Sequence, residues 1–210
     1  MIWGMKHWLE PRPVQTSQAL QTLAGHPLLA ETLARRGLTD AGAARAFLDP
    51  DYYTPTSPAA LPGVAEATGR LWDAIRQGKR ICVWGDFDVD GQTATTILVS
   101  TLRELTAGGN ASVLFHIPHR ERESHGVHLP VLEQTIRTEG IDLVLTCDTG
   151  ITAHDAALYA QRQGVEFIIT DHHDLPVALP EAPAIVNPKL LPADHPLREL
   201  PGVGVAYKLA

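Results

Sequence analysis

The stretch GKRICVWGDFDVDGQTATTILVSTLRELTAGG, residues 78–109, holds the pattern from which the fold can be read. Ile81, Cys82 and Val83 make a short apolar strand over 80–84, and the acidic run GDFDVDG follows at once. A helical pattern over 93–105 comes next and ends at Gly108 and Gly109. A strand that is apolar at successive positions has both faces covered, which is the habit of a parallel sheet between layers of helix.

The same alternation extends on both sides. Upstream, residues 64–77 place Leu71, Trp72 and Ile75 at helical spacing, and Gly78 ends the run. Downstream come a strand over 112–117, a polar loop rich in His and Arg, and a helix opened by Pro130 and ended by Gly140. Strands over 142–147, 165–170 and 184–186 follow, with a helix over 152–163 and another opening at 203–209. The expected fold class is α/β, a mostly parallel sheet with helices on both faces, plus a short helical N-terminal extension. That extension and its linker take residues 1–62. They hold helices at 27–36, stopped by Gly37, and at 43–48, behind the capping residues Thr39 and Asp40. Pro50, Pro55, Pro58 and Pro62 make the rest extended or turning. Residues 63–210 form the main domain.

The chain of 210 residues is 44% hydrophobic and 20% charged, which excludes wholesale disorder. No apolar run is long enough to cross a bilayer, and MIWGMKHWLEPRP lacks the basic-then-apolar order of a secretory signal. Cys82 and Cys147 both fall inside strand patterns, as buried reduced thiols do, and the expected compartment is the cytoplasm. A net charge of −7 argues against a surface that grips nucleic acid everywhere, and against a non-enzymatic DNA-binding module. It leaves room for a phosphate substrate if the acids are gathered around cations.

They are gathered at strand ends, where α/β sheets bind ligands. The strand over 80–84 delivers Asp86, Asp88 and Asp90; that over 142–147 delivers Asp148; that over 165–170 delivers Asp171, His172 and His173. An isolated Asp in such a place is ordinarily a helix cap or turn former, and Asp142, Asp155 and Asp174 are read that way. Isolated histidines, His7, His26, His154 and His195, receive no role. Acids ending three strands at once, with a His pair on one of them, would repel one another without cations. Oxygen donors with one or two imidazoles suit Mn²⁺ or Mg²⁺ better than Zn²⁺, and a pair of such ions is a standard device for splitting a phosphoester.

GDFDVDG at 85–91, TCDTGIT at 146–152 and TDHHDLP at 170–176 resemble the first three motifs of the DHH phosphoesterase superfamily. Within it the chain is most similar to the bacterial RecJ single-strand-specific exonucleases. The run up to GDFDVDG, the loop IPHRERESHGVH, AIVNPKL at 184–190 and LPGVGVAYKLA at 200–210 carry that likeness. The resemblance implies two Mn²⁺ or Mg²⁺ ions held by Asp86, Asp88, Asp90, Asp148 and His172, with Asp148 bridging. It implies that His173 faces the scissile phosphate, so that Asp148, His172 and His173 are catalytic, and that Asp171 orients an imidazole. The implied activity is 5′→3′ exonucleolytic digestion of single-stranded DNA in repair and recombination. The implied partners are single-stranded DNA and a helicase or single-strand-binding protein, with no membrane.

Substrate phosphate is expected near Arg120, Arg122, His125 and Gly126 of the polar loop and near Gly150; the bland reading of that loop is a solvated connection. Gly202 and Gly204 read either as further backbone donors or as a turn. Two departures from the family pattern stand out. Trp84 occupies a position where many members have His, and a further Asp from a fourth motif has no counterpart before Ala210. The chain is therefore expected to be the first part of a longer enzyme, and weakly active or inactive by itself. Other DHH activities remain open: pyrophosphatase, cyclic-dinucleotide hydrolase or oligoribonucleotide hydrolase. So does a phosphoacceptor receiver, with Asp148 as acceptor and Lys189 as its only candidate lysine.

Overall fold

A computed structural model describes residues 9–210; His7 lies outside them. The chain divides after Pro55 into two compact units. The first, as far as it is described, holds α1 (Gln18–Ala24), α2 (Pro27–Arg35) and α3 (Ala41–Leu48). Each start is fixed by a side-chain oxygen or ring nitrogen that accepts an otherwise unpaired backbone N–H: Ser17 for Leu20, His26 for Leu28, Asp40 for Ala43. Leu20, Ala30, Leu33 and Ala44 are buried together at the centre of this unit. Helix α1 has no counterpart among the sequence expectations. It is seven residues long, and the Ser17 cap and Gly25 at φ 67° are its only local signals.

The second unit begins at Thr56, ahead of the expected boundary at 62/63. The reason is packing: Leu61 is buried with Val64 and Ala67, and Lys208 Nζ donates to the Thr56 carbonyl at 2.6 Å. The elements that follow are α4 (Val64–Arg76), β1 (Arg80–Trp84), α5 (Val89–Thr106), β2 (Ser112–His116) and α6 (Leu129–Glu139). After them come β3 (Leu143–Thr146), α7 (His154–Arg162), β4 (Glu166–Thr170), β5 (Ala184–Val186) and α8 (Gly202–Leu209). All five strands are parallel, in the order β2-β1-β3-β4-β5. Among the described residues no helix is long and apolar enough to cross a membrane.

The alternation along β1 shows why the strand is apolar throughout. Ile81 and Val83 face α4, α5 and α8; Cys82 and Trp84 face α6 and α7. Trp84 is wholly buried, its ring 4.1 Å from the His116 ring, so it belongs to the core and to the base of the polar loop. After β1 the chain goes to one side, to β2, and then returns past β1 to β3. This reversal opens a crevice at the carboxyl ends of β1 and β3. The order 2-1-3-4-5 is also that of a receiver, so strand order alone does not separate the two readings.

One element differs in a way that matters. The sequence pattern predicts loop for the acidic run up to Thr93, yet α5 starts at Val89. Asp88 is its N-cap, accepting the Gly91 N–H at 3.0 Å, and Asp90 lies in its first turn. An Asp followed by small and polar residues is a good cap, and the crowd of charge around it masks that signal.

Candidate metal centre

Each acid is placed by the strand end that carries it. Asp86, just past β1, is buried; its Oδ1 accepts the Phe87 N–H at 2.8 Å. Asp148 follows β3 with φ 61°, a left-handed conformation that is uncommon outside glycine, though Asp takes it more readily than most, and here neighbouring bonds hold it. The constraint is visible on both sides. The Cys147 N–H donates to the Trp84 carbonyl at 2.8 Å, and the Ile151 N–H donates to Asp171 Oδ2 at 2.8 Å. Beyond the regular ladder, Thr170 Oγ1 donates to the Thr146 carbonyl at 2.7 Å, and Thr146 Oγ1 accepts the Thr170 N–H at 3.2 Å. The ends of β3 and β4 are thus tied together before their acids begin.

Two groups of donors meet at Asp148. Asp86, Asp88 and Asp148 each offer an oxygen within 4.8 Å of the others, and so do Asp148, His172 and His173 with oxygen or nitrogen. Asp148 Oδ1 lies 3.0 Å from His172 Nε2, but the approach is too oblique for a hydrogen bond. That buried oxygen has no hydrogen-bond partner among the described residues. Burial, with the charges of Asp90 and Asp88, pushes the Asp148 carboxyl above its usual range, and Asp148 in turn raises the His172 imidazole. A buried carboxylate crowded by Asp88 and Asp90, with only a poorly aligned imidazole beside Oδ1, is what a dication would relieve. The oxygen-rich donor set with imidazole fits Mn²⁺ or Mg²⁺.

Asp171 is committed elsewhere. Its Oδ1 accepts from the backbone N–H groups of His172 and His173 and lies 2.7 Å from His173 Nδ1. Against the upward push of burial, the His173 ring and the Ile151 and His173 N–H groups hold this carboxyl below its ordinary range. Asp171 raises the His173 imidazole to about 9 and fixes the ring by Nδ1, leaving Nε2 as its other polar atom. Asp90, expected among the ligands, falls in neither donor group: Oδ2 accepts the Gly202 N–H at 2.7 Å and Oδ1 the Val203 N–H at 2.6 Å. It joins the cluster at its rim, with His172 Nε2 3.6 Å from Oδ2. Of the two readings left open for Gly202, the phosphate donor does not hold as placed, because its N–H is committed to Asp90.

The loop after β2 reaches the same place. His125 Nδ1 lies 3.0 Å from Asp86 Oδ2, and the His125 ring stacks 4.3 Å from Phe87. The Arg120 guanidinium lies 5.3 Å from the centre of the same Phe87 ring. Arg122 is exposed and makes no side-chain hydrogen bond or ion pair among the described residues. Gly126, at φ 86°, and Gly150, at φ 109°, line a cleft of about 460 Å³ with Asp86, His125, Asp148 and His173. Asp142, read as a turn former, accepts the Arg80 N–H at 2.8 Å, whereas Asp174 lines the cleft. Phe87, His116 and Glu123 carry this loop and do not stand out in the sequence. The ring contacts of Phe87 and His116 run across the chain, whereas Glu123 meets partners four and seven residues away in a loop without regular period. Lys189, the lysine a receiver would need, donates to Glu199 Oε2 at 2.7 Å.

Comparison with known proteins agrees with this geometry. The chain is 39% identical over 215 residues to the single-stranded-DNA-specific exonuclease RecJ of Bacillus subtilis (strain 168). That alignment takes in 100% of this chain and 26% of the relative. A crystal structure of exonuclease RecJ bound to manganese superimposes with a TM-score of 0.65 at 41% identity, over 74% of this chain and 38% of that one. The structure of RecJ from Thermus thermophilus in complex with Mn²⁺ gives 0.65 at 35% identity, over 90% and 24%. The chain thus spans about a quarter of the length of the Bacillus relative. A family model described as the DHH family, N-terminal domain, matches residues 80–210, the span that contains β1 to α8 and every acid of the cluster, and the chain belongs to that family.

Proposed function

We propose that this chain carries the metal centre of a Mn²⁺- or Mg²⁺-dependent single-stranded-DNA exonuclease that digests 5′→3′ in repair and recombination. The observation that carries the reading is Asp148, buried, without a hydrogen bond at Oδ1 and shared by both donor groups. Asp86 and Asp88 on one side and His172 on the other are the residues to hold two ions, with Asp90 at the rim. Such ions polarise a phosphoryl oxygen and lower the pKa of a coordinated water. The chain's own residues supply the rest. Asp171 fixes the His173 ring by Nδ1, so that the imidazole stands in the cleft with Nε2 as the atom to meet a phosphoryl oxygen. Arg120, Arg122, His125 and the backbone at Gly126 and Gly150 are the candidates to seat neighbouring phosphates. The likeness to RecJ proteins supports single-stranded DNA over pyrophosphate or a cyclic dinucleotide.

The expected compartment is the cytoplasm, a reading supported by two buried unpaired thiols. Single strands arise where a helicase opens duplex and are coated by single-strand-binding protein, so these are the expected partners. Turnover by these 210 residues alone is expected to be slow. The test offers the chain 5′-labelled single strands, duplex DNA, pyrophosphate and a cyclic dinucleotide, each with manganese and with chelator. Mononucleotides released only from the single strand, only with metal, and not by Asp148→Ala support the reading. Faster cleavage of either small substrate overturns it.

A further inference from the structure

The loop between β2 and α6, residues 117–128, is held from two sides. Glu123, with its side chain 12% exposed, places Oε2 2.7 Å from His116 Nε2, while Oε1 accepts the His119 N–H at 3.0 Å. One carboxylate thereby ties the last residue of β2 to a turn, which the Arg122 and Glu123 N–H groups close on the His119 carbonyl. On the far side the Trp84 indole N–H reaches the Gly126 carbonyl at 3.5 Å, and the same indole packs on His116. Between these anchors Ser124 stands at φ 62°, where non-glycine residues seldom sit. The turn it makes delivers His125 Nδ1 to Asp86 Oδ2. A strained residue between two anchors, ending in a polar contact with the acid cluster, describes a directed arm and not a solvated connection.

We propose that Glu123 is a positioning residue of the metal centre: by tying His116 to His119 it holds His125 against Asp86, and His125 orients the Asp86 carboxylate toward Asp88 and Asp148. This rests on the metal-centre reading above. The other Asp86 oxygen is taken by the adjacent Phe87 N–H, so the carboxylate is held at both ends, and His125 sets the end that the polar loop controls. The arrangement parallels Asp171 and His173, where a buried carboxylate and an imidazole also fix each other at the rim of the cleft. Trp84, the core residue beneath, serves the same arm through Gly126.

The test is a manganese titration by calorimetry, with melting temperatures recorded with and without metal. Glu123→Ala and His125→Ala should each weaken one manganese site about tenfold, the scale on which partners of ligating groups act, and leave the other site unchanged. The double variant should be no weaker than either single one, because the two residues act in series. His125→Asn, whose amide N–H can reach Asp86 from a similar place, should restore binding. Should Glu123→Ala fail to fold, Glu123→Gln keeps the acceptor for His119, and a smaller weakening of the same site is expected. Native manganese affinity in folded Glu123 and His125 variants overturns the proposal and leaves the metal-centre reading standing. A wild-type chain that binds no manganese overturns both.

Discussion

Gly202 rests directly on Asp148: a methyl group at residue 202 would lie 2.6 Å from the Asp148 Cγ and collide with Oδ1. The close approach lets Asp90 reach the Gly202 and Val203 N–H groups from the first turn of α5. Gly202→Ala should therefore lift α8 from the cluster and cost about 1–3 kcal/mol, as overpacking in a tight interior does. Thermal unfolding should show the loss, and manganese should stabilise this variant less than the wild type. An unchanged melting curve would contradict the contact.

Asp148 is left-handed and buried, and burial with the charges of Asp90 and Asp88 makes its carboxyl costly to ionise. Asparagine tolerates that backbone conformation and carries no charge. Asp148→Asn should raise stability in chelator by about 1 kcal/mol, since it removes a buried negative charge from beside Asp88 and Asp90. In chelator the variant should melt above the wild type; in manganese the order should reverse. A lower melting temperature in chelator would show that the carboxylate is satisfied as it stands.

Glu166 makes a contribution to stability that depends on acid and lies outside the centre. Its carboxylate lies 2.8 Å from Lys79 Nζ and 3.2 Å from Arg70 Nη1. Against partial burial, these two cations hold its pKa below the ordinary 4.5. A depressed folded pKa means that the stabilisation is complete above about pH 4.5 and is lost as pH falls through the folded value. Glu166→Gln should thus be less stable than the wild type at pH 7 by about 1 kcal/mol, with the gap closing on acidification. Denaturant midpoints at several pH values would measure it, and a gap that widens in acid would refute it.

The sheet was legible in the sequence because apolar residues at successive positions have few other uses: β1 and β5 have the expected bounds, and the other strands differ only at their ends. The acids were legible because three strand ends carry them. Part of what escaped depends on contacts between distant residues. Asp90 looks like its neighbours in the chain, yet it is drawn off by α8, more than a hundred residues away. Glu123 escaped for another reason: it is one charge among several in a polar loop, and its partners four and seven residues away follow no helix or strand period. The start of α5 was hidden because Asp88 is both a member of the cluster and an ordinary helix cap.

Cys82 and Cys147 offer a check on the core. Burial pushes both thiols up to about 12, so neither is ionised near neutrality. A thiol reagent at pH 8 should label neither in the folded chain and both after denaturation. Rapid labelling of Cys147 would mean that the loop bearing Asp148 opens readily.

The paired threonines at the ends of β3 and β4 bear on how errors in assembly are handled. Thr146 and Thr170 exchange hydrogen bonds only when the two strands are aligned as seen. A slip by one residue would turn every side chain of β4 to the opposite face and carry His172 away from Asp148. A misaligned sheet therefore cannot pass as native: it would hide no flaw in its interior without also lacking the cluster at its rim, so cation uptake doubles as an inspection of the finished fold.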